Sequence, residues 1–273
     1  MTVWQGVVLG LVQGMTEFLP VSSTGHLVLL QKLWSLEADS LWFITMLHLG
    51  TLVAVVWVLR REVVYILTHP GSREARLVLT AVVPAAVIGA GFEDMFDRLF
   101  ASGVTIGVEF VITGIILWWM DGVPAGRKDE RSMTFMDALW IGIAQGAAIL
   151  PALSRSGLTI ASGLWRGLDR SCAGRFSFLV SIPAILGATL FEGWDGLRYG
   201  LGMPAQAWSA AWWGTVAACI SGYLAVRTTM WLVAHSKMRW FAVYVWCLAG
   251  MILADQLLWH RYFPPLFASG AIG

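Results

Sequence analysis

Apolar residues run along this chain in long blocks, separated by short polar stretches rather than alternating with them. The blocks at 41–59, 77–92, 104–120, 176–190, 207–226 and 241–258 are each near the roughly 17–25 residues a helix needs to cross a bilayer. They predict six spanning helices. Two further apolar regions, 3–33 and 135–168, are each interrupted by proline and a serine-rich polar knot. Each predicts two half-helices. Broken backbone at membrane depth survives only where protein or a water-filled cavity lines it, so both regions read as re-entrant hairpins that dip in and return. Residues 1–19 lack the basic start and small-residue cleavage site of a signal peptide and carry Glu17, so this segment is expected to stay in the mature protein.

The two interruptions are related. Gln13-Gly-Met-Thr-Glu-Phe-Leu-Pro-Val-Ser-Ser-Thr-Gly25 and Gln145-Gly-Ala-Ala-Ile-Leu-Pro-Ala-Leu-Ser-Arg-Ser-Gly157 share Gln, Gly, Ser and Gly at matching places 132 residues apart. Three predicted crossings lie between the hairpins, and three is odd, so the first enters from outside and the second from inside. Their tips can meet near the midplane, as in inverted-topology repeats. The expected architecture is an all-α polytopic membrane protein, a single integral domain over 1–273. Its first inverted repeat covers 1–120 with the hairpin at 3–33, and its second covers 133–260 with the hairpin at 135–168.

Composition agrees: 58% of residues are hydrophobic and 13% charged, against roughly a quarter charged in an ordinary soluble domain. The net charge of +1, without a basic run, excludes a nucleic-acid arm. Charge position is more informative. On the predicted topology Lys32, Arg98, Arg198 and Arg261 lie on one side. Arg60, Arg61, Arg73, Arg76, Arg127, Lys128, Arg131, Arg166, Arg170, Arg175, Arg227, Lys237 and Arg239 lie on the other. The positive-inside rule puts the larger set in the cytoplasm. Cys172, Cys219 and Cys247 are too scattered for a metal site or a disulfide framework and read as packing residues. The 16 Trp fit an interfacial belt.

Ionisable residues inside apolar stretches are costly and usually functional. Ser22, Ser23 or Thr24 can cap the helix after the first break, and Ser154 or Ser156 the helix after the second. Two capped helix N-termini facing one cavity make an anion site. Arg155 adds a planar fork suited to phosphate oxygens, with a buried lock against Glu17 as its structural alternative. Glu17 shares a helix face with Gln13. Beside a phosphate it could bind a divalent cation or take a proton, or it could be a protonated acid bonded to backbone. His26 can serve as acid, base or nucleophile. His48 either lines the cavity or bonds a carbonyl. Glu109 and Asp255 lie nearer predicted helix ends and are expected to snorkel to the interface.

Thr16-Glu-Phe-Leu-Pro-Val-Ser-Ser-Thr-Gly-His26 and Leu153-Ser-Arg-Ser-Gly-Leu-Thr159 resemble the two signature boxes of the BacA-type undecaprenyl-diphosphate phosphatases. His48-Leu-Gly-Thr-Leu-Val-Ala54, Pro84 and Arg175-Phe-Ser-Phe-Leu179 extend the likeness over nearly the whole chain. The resemblance implies removal of the terminal phosphate of a polyprenyl diphosphate at the outer face of the bacterial plasma membrane, regenerating the carrier for cell-wall glycans. It implies a divalent cation, Mg²⁺ or Ca²⁺. It makes Glu17 a catalytic or metal-associated carboxylate, Ser23 the nucleophile, His26 its acid/base partner and Arg155 the phosphate clamp. Gln13, Ser22, Thr24, Ser154, Ser156 and Thr159 would be further substrate contacts. The lipid bilayer and the lipid substrate are the implied partners, and a homodimer is a possible assembly. Attack by His26 or by activated water stays open beside Ser23, as does a polyprenyl-phosphate flippase built on the same repeat. Two departures stand out. Gln13 replaces a glutamate common in the first box, which bears on any metal. Pro151-Ala152 replaces Pro-Gly in the second, which matters only where the backbone needs positive φ.

Overall fold

Apolar helical pattern, not strand pattern, governs this chain, and the computed structural model, which describes residues 1–36, 41–124, 126–199 and 205–266, contains helices and no strand among them. They run α1 (Val3–Phe18), α2 (Ser23–Leu33), α3 (Leu41–Val58), α4 (Arg60–Thr68), α5 (Arg73–Gly91) and α6 (Glu93–Ser102) in the first part. There follow α7 (Ile106–Met120), α8 (Phe135–Ala147), α9 (Arg155–Trp165), α10 (Arg170–Tyr199), α11 (Ala205–His235) and α12 (Arg239–Ala254), which ends in a π-helical turn at Asp255–Trp259.

Four helices among the described residues are long and apolar enough to cross a membrane: Arg73–Gly91, Arg170–Phe191, Ala207–His235 and Arg239–Trp259. A fifth is counted if α3 and α4, bent by 84° at Leu59, form one broken span. These make the chain a multi-pass membrane protein. The expected span at 104–120 is the helix Ile106–Met120, only 15 residues long and short of the usual minimum. Two elements had no counterpart in the hydrophobic blocks. α4 carries Arg60 and Arg61 beside exposed Val64, Tyr65 and Leu67, the layout of a helix lying in the interface. α6 is the other. α10 and α11, at 30 and 31 residues, are about 45 Å long and continue past their apolar blocks into polar sequence.

The breaks at 19–22 and 148–154 fall where the paired motifs predict them, with α1 packed on α2 and α8 on α9. Each first half-helix also packs on a long helix from the other half of the chain: α1 on α11, and α8 on α5. Small residues set these approaches. Gly6, Gly10 and Gly14 form one stripe of α1, facing Ala210, Gly214 and Ala218 of α11, and a Cβ at any of the three would collide with backbone there. Gly142 and Gly146 repeat the device on α8, where added Cβ atoms would strike Ala81, Ala85 and Ile88 of α5. Without a hydrophobic drive between helices in lipid, close backbone approach through small residues is the main source of association.

One end of the bundle is tied together by acids. Asp137, buried, accepts two hydrogen bonds from Lys128 Nζ (3.1 and 3.0 Å) and one from Arg166 Nε (2.9 Å). Asp121 accepts from the backbone N–H of Met238 (2.8 Å) and Arg239 (2.9 Å). Arg73 donates to the carbonyls of Glu130 and Met133, and Arg175 pairs with Glu130 at 3.3 Å. Members of the larger basic set are thus gathered at a common end. The side chain of Arg198, from the smaller set, lies outside the described residues.

Replacing Gly10 by Leu should force α1 away from α11 and destabilise the protein by about 1–3 kcal/mol. Thermal unfolding in detergent, compared with an exposed control such as Val53→Leu, would register it.

Candidate functional site

Proline explains where the helices stop. It biases the residue before it to extended backbone, and Leu19, ahead of Pro20, ends α1 at φ −66°, ψ 145°. Two residues on, Ser22 sits at φ 64°, a conformation that costs a non-glycine residue about 1–3 kcal/mol and needs its surroundings to hold it. Its hydroxyl accepts from Gly25 N–H (3.3 Å), capping α2, and donates to the Pro151 carbonyl (2.9 Å). Ser154 likewise caps α9, accepting from Gly157 N–H at 3.1 Å. Ala152 has no positive φ, so the departure from Pro-Gly needs no compensation.

The two breaks satisfy one another. Ser22 reaches Pro151 O, and Ser156 Oγ reaches back to Leu19 O (3.0 Å). These are carbonyls freed by the helix ends, which lipid could not have hydrogen-bonded. Thr113 and Glu109 of α7 complete the second break: Thr113 Oγ1 donates to Ala152 O (3.0 Å) and accepts from Ser154 N–H (3.2 Å), while Glu109 accepts from Ala152 N–H at 2.5 Å.

Glu17 is the node between the breaks. Its Oε1 accepts from Arg155 Nη2 at 2.5 Å. Its Oε2 accepts from Ser23 Oγ (2.5 Å) and Gln13 Nε2 (2.9 Å), and His48 Nε2 lies 3.6 Å from the same oxygen. A carboxylate on a serine hydroxyl can receive its proton, and a guanidinium alongside can hold an anion. Among the described residues Arg155 Nη1 and Gln13 Oε1 are buried without a hydrogen-bond partner. Such groups are costly unless something completes them.

Gln13, Glu17, Ser23 and Arg155 therefore form one cluster, with His48 of α3 added. Of the two roles considered for His48, the carbonyl bond is observed, its Nδ1 lying 2.9 Å from Ile44 O. His26 is placed differently from the expected partner of Ser23. Its Nδ1 meets Ser22 O (2.6 Å) and its Nε2 meets Tyr244 OH (2.8 Å), with the two rings stacked. Glu17, not His26, is on the Ser23 hydroxyl. Thr24 is half-buried in the first turn of α2. Thr159 bonds Arg155 O (2.8 Å) and Ser177 Oγ (2.6 Å), behind the guanidinium.

Two expectations are corrected. Glu109 does not snorkel; it is 3% exposed and serves the Ala152 amide. Asp255 accepts from the N–H groups of Arg261, Tyr262 and Phe263, turning the chain after α12. Tyr244 and Thr113 were missed, and Ser177 entered only as part of the 175–179 likeness. The spacing of Glu109 and Thr113, one turn apart in an otherwise apolar helix, was the available signal for that pair.

Among the described residues no three His, Cys, Asp or Glu side chains cluster as metal ligands. The donor types still fit a hard cation shared with a substrate: Glu17 is a carboxylate, Gln13 bonds it through Nε2 and has its own Oε1 buried without a partner among the described residues, and Mg²⁺ commonly takes one or two protein oxygens plus phosphate and water.

A bundle of apolar helices enclosing a carboxylate, a serine and a guanidinium defines a polytopic membrane protein with a buried polar cluster. The chain belongs to the BacA family: residues 6–251 match the family described as Bacitracin resistance protein BacA. It is similar to an undecaprenyl-diphosphatase of Carboxydothermus hydrogenoformans, 47% identical over 256 residues that cover 94% of this chain and 98% of that protein. It is 42% identical to undecaprenyl-diphosphatase 4 of Bacillus cereus over 92% of this chain and 96% of that one. An undecaprenyl-diphosphatase of Alkaliphilus metalliredigens is 38% identical over 94% of this chain and all of its own length.

Glu17→Gln should strand the Arg155 charge and cost about 3–5 kcal/mol, while Glu17→Gln combined with Arg155→Met recovers most of the loss. Thermal unfolding of the two variants in one detergent measures the difference.

Proposed function

We propose that this chain hydrolyses undecaprenyl diphosphate to undecaprenyl phosphate and inorganic phosphate, recycling the lipid carrier of cell-wall synthesis. The observation that carries the reading is the Ser23 hydroxyl held on Glu17, with the unpartnered Nη1 of Arg155 in the same buried cluster. A carrier needs a binding site and two access states. It does not need an acid aimed at a hydroxyl, which favours hydrolysis over a flippase.

In this reading the diphosphate enters from the outer leaflet while its prenyl tail stays between helices. Its terminal phosphate competes with Glu17 for Arg155, which frees the carboxylate to take the Ser23 proton. Ser23 Oγ bonds to the terminal phosphorus, the bridging P–O bond breaks, and undecaprenyl phosphate leaves with the bridging oxygen. Arg155 and the N–H groups opening α2 and α9 stabilise the charge spread over the transferred phosphoryl group. Glu17 passes the Ser23 proton to the leaving undecaprenyl phosphate; water then attacks the phosphoserine, its proton going to Glu17 and on to Ser23 Oγ as the Ser23 O–P bond breaks, and phosphate is released. His26 and Tyr244 hold the Ser22 carbonyl and so the strained turn before the nucleophile. A divalent cation, Mg²⁺ or Ca²⁺, would be held by Glu17 and Gln13 and would supply positive charge against the phosphate oxygens.

The same reading makes 3–33 and 135–168 re-entrant hairpins in two inverted repeats, 1–120 and 133–260, with six crossings between and after them. The 132-residue repeat and the exchanged packing, α1 on α11 and α8 on α5, support it. It puts the protein in the bacterial inner membrane with the basic end in the cytoplasm and the site opening outward.

Purified protein should release phosphate from undecaprenyl diphosphate, and Ser23→Ala and Arg155→Ala should each lower kcat by at least about 10²-fold. Undiminished turnover in Ser23→Ala, or a trapped phosphohistidine, would overturn the serine nucleophile. Absence of release by the wild-type protein would overturn the function. A cysteine introduced at Ser132 should resist a membrane-impermeant maleimide in intact cells and react after permeabilisation; labelling from outside would reverse the orientation.

A further inference from the structure

Glu109 is a carboxylate in the first turn of a helix whose other residues facing inward are apolar or small, apart from Thr113. Neither residue lies in the paired motifs, and the reaction described above uses neither. Both are almost completely buried. A carboxylate at such a place is costly unless it has a task.

The task is visible in what they hold. Glu109 Oε2 takes Ala152 N–H, Thr113 Oγ1 gives to Ala152 O, and the same Thr113 oxygen takes Ser154 N–H. Three backbone groups within residues 152–154 thus depend on two side chains of α7. Helix α9 begins immediately afterwards, with Ser154 as its cap and Arg155 as its first residue. The position of the Arg155 Cα therefore follows from where α7 pins this segment. Ser156 and Ser22 bind the same loop to the first break, but neither reaches the Ala152 amide.

We propose that Glu109, with Thr113 one turn on, is a positioning residue for the reaction: it fixes the register of the second break and so aims the Arg155 guanidinium at the transferred phosphoryl group. The inference rests on the reading of Arg155 given above. Nothing in it requires Glu109 to touch substrate. A guanidinium displaced by about 1 Å loses much of its transition-state contact while still attracting the anionic substrate, and misplacement on that scale can cost about a hundredfold in rate. The loss should therefore fall on kcat more than on KM.

The test is a coupled set of variants measured as the purified full chain in detergent. Glu109→Leu should lower kcat by about 10²-fold, and Thr113→Val should lower it less, since Glu109 still holds one group. Glu109→Gln should restore most of the activity, because its amide oxygen can still accept from Ala152 N–H. In an Arg155→Lys background, Glu109→Leu should cost only a few-fold more, because the group it aims has already been replaced. General damage to folding would instead multiply the two losses. Hydrogen exchange should rise in the 150–157 peptide of Glu109→Leu whatever its activity.

Wild-type kcat in Glu109→Leu, equal losses in the two backgrounds, or unchanged exchange at 150–157 would each overturn the proposal. Full activity in Arg155→Ala with raised exchange in Glu109→Leu would leave the pinning intact and overturn the role given to Arg155.

Discussion

A carboxylate and a guanidinium 138 positions apart in the chain meet at 2.5 Å inside this protein, and the rest of the structure is arranged so that they can. Each belongs to a helix interrupted by proline, and interruption inside a bilayer is permitted only where the freed backbone groups find partners. Here one partner for each break comes from the other interruption, and Glu109 and Thr113 of α7 supply the rest of the second. Ser22 supplies a proton to Pro151 O and Ser156 supplies one to Leu19 O, so neither break is complete without its counterpart. A buried ion pair adds little stability by itself. Its presence at this crossing, with Ser23 on the same carboxylate, is what the proposed hydrolysis would use.

The packing that delivers the two breaks is simple. Gly6, Gly10 and Gly14 let α1 touch the backbone of α11, and Gly142 and Gly146 do the same for α8 against α5. The two motifs nevertheless differ at their centres. Position 17 is Glu and its counterpart 149 is Ile, while position 23 is Ser and its counterpart 155 is Arg. The first half contributes the acid and the hydroxyl, and the second contributes the cation. Gln13 accordingly has Glu17 to bond, whereas both amide atoms of Gln145 are buried without a partner. Identical motifs would carry either two acids or two cations.

The breaks, the residues of the central cluster and most helix positions were legible in the sequence, because proline, serine caps and a charge within an apolar run are local signals. Contacts across helices were not. His26 lies only three residues from Ser23, which suggested a partnership, but its ring is held between the Ser22 carbonyl and Tyr244 of α12, and no local pattern announces that tyrosine. Glu109 looked like an interfacial residue because it lies in the first turn of α7; it is buried because the second break folds over that turn. The glycine stripe of α1 was readable at spacing four but was masked by the polar motif that begins at Gln13. α4 escaped notice because charge and hydrophobicity are mixed along it, which is what an interfacial helix requires.

An experimental structure with a non-hydrolysable polyprenyl methylene-diphosphonate would test the convergence of the two breaks on one phosphate most directly. The account predicts the terminal phosphonate within hydrogen-bonding distance of both Arg155 and Ser23, with the guanidinium drawn away from Glu17. A headgroup bound elsewhere, with the Glu17–Arg155 contact undisturbed, would contradict it.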